Sequence, residues 1–279
     1  MEMTGAEIII KLLERQGITT IAGIPGGANL PMYDALGAST QIRHVLARHE
    51  QGAGFMAEGM ARVSGRPEVV FATSGPGATN VLTALADAHL DSIPVVCITG
   101  QVARPLIGTD AFQEVDVFGM SLPCTKHNWL VRSAKDLLEI IPKAFRIASS
   151  GRPGPVLIDV PKDVQKELAE FEEFPEPGQP ETPPQVDEFA LQRAARMING
   201  AQRPILYVGG GIIASGAHEE VRTLAERAGL PTTMTLMGLG TMPYDHELSL
   251  GMLGMHGARC TNYALEECDL LIAVGCRFD

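Results

Sequence analysis

The feature that most constrains this chain is a recurring phrase: a short apolar run, a turn containing glycine or charge, then a helical segment. Residues 20–24 run into Pro25-Gly26-Gly27, and Val45-Leu46-Ala47 into Arg48-His49-Glu50-Gln51. Residues 68–73 run into Ser74-Gly75-Pro76-Gly77-Ala78-Thr79-Asn80, residues 93–99 into Gly100-Gln101, and residues 155–160 close the series. Apolar runs of this kind read as strands buried on both faces of a parallel sheet. A capping-box helix follows Thr4-Gly5-Ala6-Glu7, a small-residue helix spans 52–62, another runs to about Leu90, and an amphipathic one covers 134–149. The expected fold class is α/β, with a doubly wound parallel-sheet domain over residues 1–166.

At 167–187 the composition changes to Glu170, Glu172, Glu173, Glu176 and Glu181 interleaved with Pro175, Pro177, Pro180, Pro183 and Pro184, which reads as an extended charged linker. A second α/β pattern occupies 188–279. It has helices at 189–198, 217–228 and 260–267, and strands at 204–208, 232–235 and 270–274. Two of these strands end in glycine, at Gly209-Gly210-Gly211 and Gly275, as a nucleotide cofactor lying over strand ends requires, although no GxGxxG is present. The chain stops soon after the last strand and reads as the N-terminal part of a longer protein.

A net charge of −11 argues against a nucleic-acid partner. Five cysteines, none in a CxxC, read as reduced thiols of a cytoplasmic protein without a metal site. No apolar run approaches membrane-spanning length.

Glu50 falls at the carboxyl end of a strand and the start of a helix, the edge where open α/β sheets bind ligands. It either caps the helix or pairs with Arg48, or it is a poorly solvated carboxyl that holds or hands over a proton. Pro25-Gly26-Gly27 is an ordinary turn or a close approach to a ligand, and the 74–80 turn can hold an anion on its backbone amides. A long connector, 102–128, carries Phe112 and Gln113, readable as surface residues or as a pocket wall and a donor. Arg152, in a rigid turn, either caps the preceding helix or binds a phosphate.

Taken together, Ile24-Pro25-Gly26-Gly27, Arg48-His49-Glu50-Gln51, 74–80, Asp110-Ala111-Phe112-Gln113-Glu114, Thr125-Lys126-His127-Asn128, Gly151-Arg152-Pro153-Gly154-Pro155, Pro161-Lys162-Asp163 and 275–279 resemble the large subunits of the acetolactate synthase (acetohydroxyacid synthase) family of thiamine-diphosphate enzymes. The resemblance covers essentially the whole chain. It implies a pyrimidine-binding first domain and a truncated FAD-type middle domain, with thiamine diphosphate, FAD and Mg²⁺ as cofactors. The Mg²⁺ ligands would lie outside this chain, which alone would be inactive. It implies condensation of pyruvate with pyruvate or 2-ketobutyrate, a homodimer or higher oligomer, and a possible regulatory small subunit. By the same resemblance Glu50 and Gln113 are catalytic, and Pro25, Gly26, Glu50 and Asn80 bind thiamine diphosphate. Arg152, Gly209, Gly210, Gly211, Thr235, Leu236, Met255, His256, Gly257, Gly275, Arg277 and Asp279 fall in FAD segments. Gly27, Phe112 and Lys162 line the substrate channel. The chain departs from the pattern at Ala103, where many members carry Pro. A pyruvate oxidase, a 2-keto-acid decarboxylase and a non-catalytic module are the alternatives, separable by product analysis.

Overall fold

In the computed structural model, which describes residues 1–278, the chain forms two compact units that divide between Pro183 and Pro184. In the first, β1 (Glu2–Thr4) leads into α1 (Gly5–Arg15), followed by β2 (Thr20–Gly23), α2 (Leu30–Gly37), β3 (Arg43–Leu46), α3 (Glu50–Ser64), β4 (Glu68–Ala72) and α4 (Pro76–Asp91). The chain continues through β5 (Val95–Gln101), α5 (Val117–Ser121), β6 (His127–Leu130), α6 (Leu137–Ser149), β7 (Val156–Pro161), α7 (Lys162–Lys166) and β8 (Leu168–Glu170). Strands β2 to β7 make one six-stranded sheet in the order β3-β2-β4-β5-β7-β6, with every pair parallel.

The alternation of side chains along each strand builds two apolar layers. Val69 and Phe71 of β4 face Ile8, Leu12, Leu13 and Ile141 of α1 and α6. Val70 and Ala72 face Ala53, Ala57, Val81 and Leu85 of α3 and α4. The small residues of α3 have a packing role, since a Cβ at Gly54 would press on the Ala84 methyl of α4.

Several elements differ from expectation. The strand before Glu50 is parallel but lies at the sheet edge, so Leu46 is 66% exposed rather than buried. The connector is not continuous loop, because α5 forms within it and β6, which pairs with β7, begins at its end. Residues expected to form an extended linker are partly fastened to the first unit. β8 pairs antiparallel with β1, Phe171 and Phe174 pack on the core, and Ser150 Oγ accepts from Glu181 N at 2.9 Å.

The second unit contains α8 (Glu188–Gly200), β9 (Pro204–Val208), α9 (Gly210–Ser215), α10 (His218–Ala228), β10 (Thr232–Met234), β11 (Ser249–Met252), α11 (Arg259–Glu267) and β12 (Leu270–Val274). Its sheet is parallel in the order β11-β10-β9-β12. Val208, Val221, Ala225 and Met234 centre its core. Among the described residues no helix is long and apolar enough to cross a membrane.

Candidate functional site

The winding of the first sheet reverses between β2 and β4, which opens a crevice at their carboxyl ends, where open parallel sheets bind ligands. Three loops meet there. After β2, the buried Asn29 fixes the Pro-Gly-Gly turn: its Oδ1 accepts from Gly26 N at 2.7 Å and its Nδ2 donates to Ile24 O at 3.3 Å. Thr73, at the end of β4, accepts from Ala28 N at 3.4 Å, and a Cβ on Gly26 would lie 2.6 Å from its side chain. After β4, the 74–80 turn enters α4.

Glu50 is the first residue of α3, and neither surface alternative describes it. His49 is the N-cap, its Nδ1 accepting from Gln51 N at 3.2 Å. Glu50 instead receives Asn80 Nδ2 on Oε2 at 3.0 Å, which joins the start of α3 to the first turn of α4. Among the described residues Oε1 receives no hydrogen bond. It stands 3.5 Å from where a Cβ on Gly77 would be, and that Cβ would also strike Thr73 Cγ2 at 2.7 Å. Glycine at 77 therefore keeps the space beside the carboxylate open. Burial, and secondarily the Glu50 charge, raise the Tyr33 hydroxyl above its ordinary range.

The 108–114 loop reaches the same crevice. Gly75 has φ +54, and its Cβ would lie 2.6 Å from Gln113 O, so backbone meets backbone there. Gln113 is exposed and itself holds φ 58. Phe112 is 88% exposed and projects from the loop. Gly27 has open space around it. Lys162, half-buried, begins α7 directly after β7, at the same sheet edge. Ala103 adopts φ −57, within the range proline would impose, so its departure from the family pattern leaves the backbone in a proline-compatible shape.

Gly75→Ala should cost about 1–3 kcal/mol, from left-handed strain plus collision with Gln113. Gly27→Ala, which meets nothing, should change urea-denaturation stability by less than about 0.5 kcal/mol. Equal midpoints for the two variants would contradict this packing.

Arg152 does not cap its preceding helix. It reaches α4, donating from Nη2 to His89 O and Leu90 O at 2.8 and 3.2 Å and from Nε to Ser92 Oγ at 2.8 Å. Those carbonyls are at the helix's negative end, a favourable place for a guanidinium.

In the second unit the remaining candidates follow the carboxyl ends of adjacent strands: Gly209 to Gly211 after β9, Thr235 and Leu236 after β10, Met255 to Gly257 beyond β11, Gly275 and Arg277 after β12. Asp279 lies outside the described residues. The three glycines are shaped first by their own chain. Side chains on Gly209 and Gly211 would press on Gly275, and one on Gly210 on Met237. Gly209 N and Gly211 N donate to Val274 O and Gly275 O at 2.9 and 3.0 Å. Leu236 and Met255 are exposed.

Glu58, Asp87 and Asp91 bring carboxylate oxygens within 4.8 Å of one another between α3 and α4. The Arg62 guanidinium lies among them, bonded to Glu58 and Asp91, and occupies the place a cation would take.

Residues 3–120 match the family model of the thiamine pyrophosphate enzyme N-terminal TPP-binding domain, and residues 191–279 that of the thiamine pyrophosphate enzyme central domain. The chain belongs to the thiamine pyrophosphate enzymes. Within them it is similar to acetolactate synthase large subunits. It is 62% identical over 276 residues to the isozyme 1 large subunit of Escherichia coli (strain K12), covering 99% of this chain and 49% of the relative. It is 52% identical over 281 residues to the Corynebacterium glutamicum large subunit, covering 99% and 45%. With the Escherichia coli isozyme 2 large subunit it shares 52% over 278 residues, covering 99% and 50%. The chain thus spans about half the length of the curated relatives it matches.

Proposed function

We propose that the full-length protein is an acetolactate synthase of branched-chain amino-acid biosynthesis, acting in the cytoplasm on pyruvate and a second 2-keto acid. The observation that carries this reading is the Glu50 carboxylate at the switch point, with Oε2 held by Asn80 and Oε1 facing space that Gly77 keeps clear. Thiamine diphosphate, when bound, supplies the carbon nucleophile and the electron sink for decarboxylation. Asn80 orients the carboxylate, Gly26 packs on the same Thr73 side chain that Gly77 does, and Pro25 opens the turn that Asn29 fixes, so Pro25, Gly26 and Asn80 are the residues that would hold its heterocycle.

Glu50 holds a proton at Oε1 against a ring nitrogen, and Asn80 fixes the rotamer that aims it. Gln113 donates to a substrate oxygen, while Phe112 and Gly27 exclude water as pocket walls. Lys162 stands at the entrance and attracts the anionic keto acid. FAD would be held by the residues that follow the second unit's strands, among them Gly209 to Gly211, Thr235 and Gly275, and Mg²⁺ would bind the cofactor's diphosphate in the full-length protein. Arg152 is committed to the carboxyl end of α4 in this structure. The assembly is a homodimer or larger, with a regulatory small subunit.

The full-length protein, supplied with thiamine diphosphate, Mg²⁺, FAD and pyruvate, should release acetolactate. Acetaldehyde or acetyl phosphate as the main product would overturn the reading.

A further inference from the structure

A buried carboxyl group with no part in the chemistry above lies behind the loop that carries Gln113. Asp159 of β7 is 1% exposed and stands in register with Thr99 of β5. Its Oδ1 accepts from Thr99 Oγ1 at 2.6 Å and its Oδ2 from Gln101 Nε2 at 3.0 Å. The buried Gln101 also donates from Nε2 to Val115 O at 3.0 Å and accepts Val102 N on Oε1 at 2.9 Å. Both amide hydrogens and the amide oxygen are therefore committed. Turned over, the amide would set Nε2 against the Val102 N–H and its oxygen against two acceptors.

Val115 follows directly on the 108–114 loop. The loop's other fastenings are local: Glu114 accepts from Gly108 N and Asp110 N at 3.0 and 3.1 Å, and Thr109 Oγ1 donates to Leu106 O at 2.8 Å. Between these anchors Asp110 and Gln113 hold φ 57 and 58, conformations that non-glycine residues keep only where their surroundings impose them. The loop then abuts Gly75.

Burial pushes the Asp159 carboxyl up to about 7 against the pull of its two hydrogen bonds, with Asp116 adding to the rise. The Cys97 thiol is the other titratable group beside it. The Thr99 hydroxyl is a rotor that donates to an ionised Oδ1 and accepts from a protonated one. Oδ2 therefore keeps Gln101 in either state, and what the network requires is an acceptor rather than a charge.

We propose that Asp159 is a positioning residue: through the Gln101 amide it fixes the Val115 backbone and so holds the Gln113 loop in its left-handed conformation against the Ser74-Gly75 turn. Its consequence for turnover rests on the function proposed above; its consequence for the loop does not.

Hydrogen–deuterium exchange of the full-length protein separates the two. Asp159→Leu and Gln101→Leu should each speed exchange over residues 106–117 at least tenfold, the double variant no further, with α1 exchange unchanged. Asp159→Asn, which keeps an acceptor for Gln101 and a donor for Thr99, should stay within twofold. Unaltered exchange at 106–117, an equal rise in α1, or Asp159→Asn as loose as Asp159→Leu would overturn the proposal. If Asp159→Leu does not fold, Gln101→Leu carries the test alone. Both Leu variants should also raise KM for the keto acid more than they lower kcat. Looser exchange with KM unmoved would leave the positioning role standing and remove Gln113 from substrate binding.

Discussion

Glu50→Gln should lower turnover of the full-length protein by a factor of about 10²–10⁴, the usual contribution of a positioned proton-transfer group, with little change in stability. The substitution isolates the proton. The amide oxygen can still accept Asn80 Nδ2, which the carboxylate meets at 3.0 Å, and the added amide hydrogens occupy space that Gly77 leaves clear. Capping of α3 is untouched, because His49 performs it. What is lost is a group able to hold and release a proton at Oε1. Exchange of the C2 hydrogen of bound thiamine diphosphate, followed by NMR, should slow in parallel with turnover while the unfolding midpoint stays put. Exchange at the wild-type rate would remove Glu50 from the proposed chemistry. Glu50→Asp, shorter by one methylene, should fail through reach instead, since it draws both the Asn80 contact and the cofactor contact out of range.

The second large effect concerns stability and pH. Asp159 has a folded value of about 7 against an ordinary 3.8, the cause being burial. Between those values the folded chain keeps a proton that the unfolded chain has released. Its contribution is therefore fully present below about pH 4 and is lost as pH rises through about 7. At about 1.4 kcal/mol per unit, the loss has a ceiling of about 4 kcal/mol. Glu58, also raised chiefly by burial, tilts the curve the same way. Asp159→Asn removes the larger slope while keeping the hydrogen bonds. Unfolding free energies from urea titrations between pH 4.5 and 8 should fall by about 2–4 kcal/mol in the wild type and run much flatter in the variant. Parallel curves would place the proton elsewhere.

Much of the architecture was legible because parallel strands buried on both faces leave continuous apolar runs, and five of the six strands of the first sheet stand where those runs fall. The sixth, β6, carries His127, Asn128 and Trp129 and is recognisable only through its pairing with β7. α2 begins with Leu30 and Pro31 after a glycine turn that conceals it. β11 is only four residues long and has Gly251 at φ 67 inside it, and β1 and β8 exist only as each other's partners. Position also made Glu50 legible, since a carboxylate between a strand and a helix falls at the ligand-binding edge. Its orienting partner was not, because thirty residues separate it from Asn80 and only the α3–α4 packing joins them. Asp159 passed unnoticed inside an apolar run, although a lone carboxylate in a strand buried on both sides is itself a signal of a built hydrogen-bond network. Glycines at strand ends misled in a milder way. Gly209 and Gly211 are small because Gly275 passes over them, a reason that arises from tertiary contact.

The pairing of β1 with β8 has one more consequence. Met1 N reaches Phe171 O at 2.7 Å and Gly5 N reaches Glu167 O at 3.0 Å, so the first and last segments of the sheet domain emerge side by side, like the two cords of a drawn purse. A body tied off in this way loosens at both cords together, because β1 and β8 have no strand partner but each other.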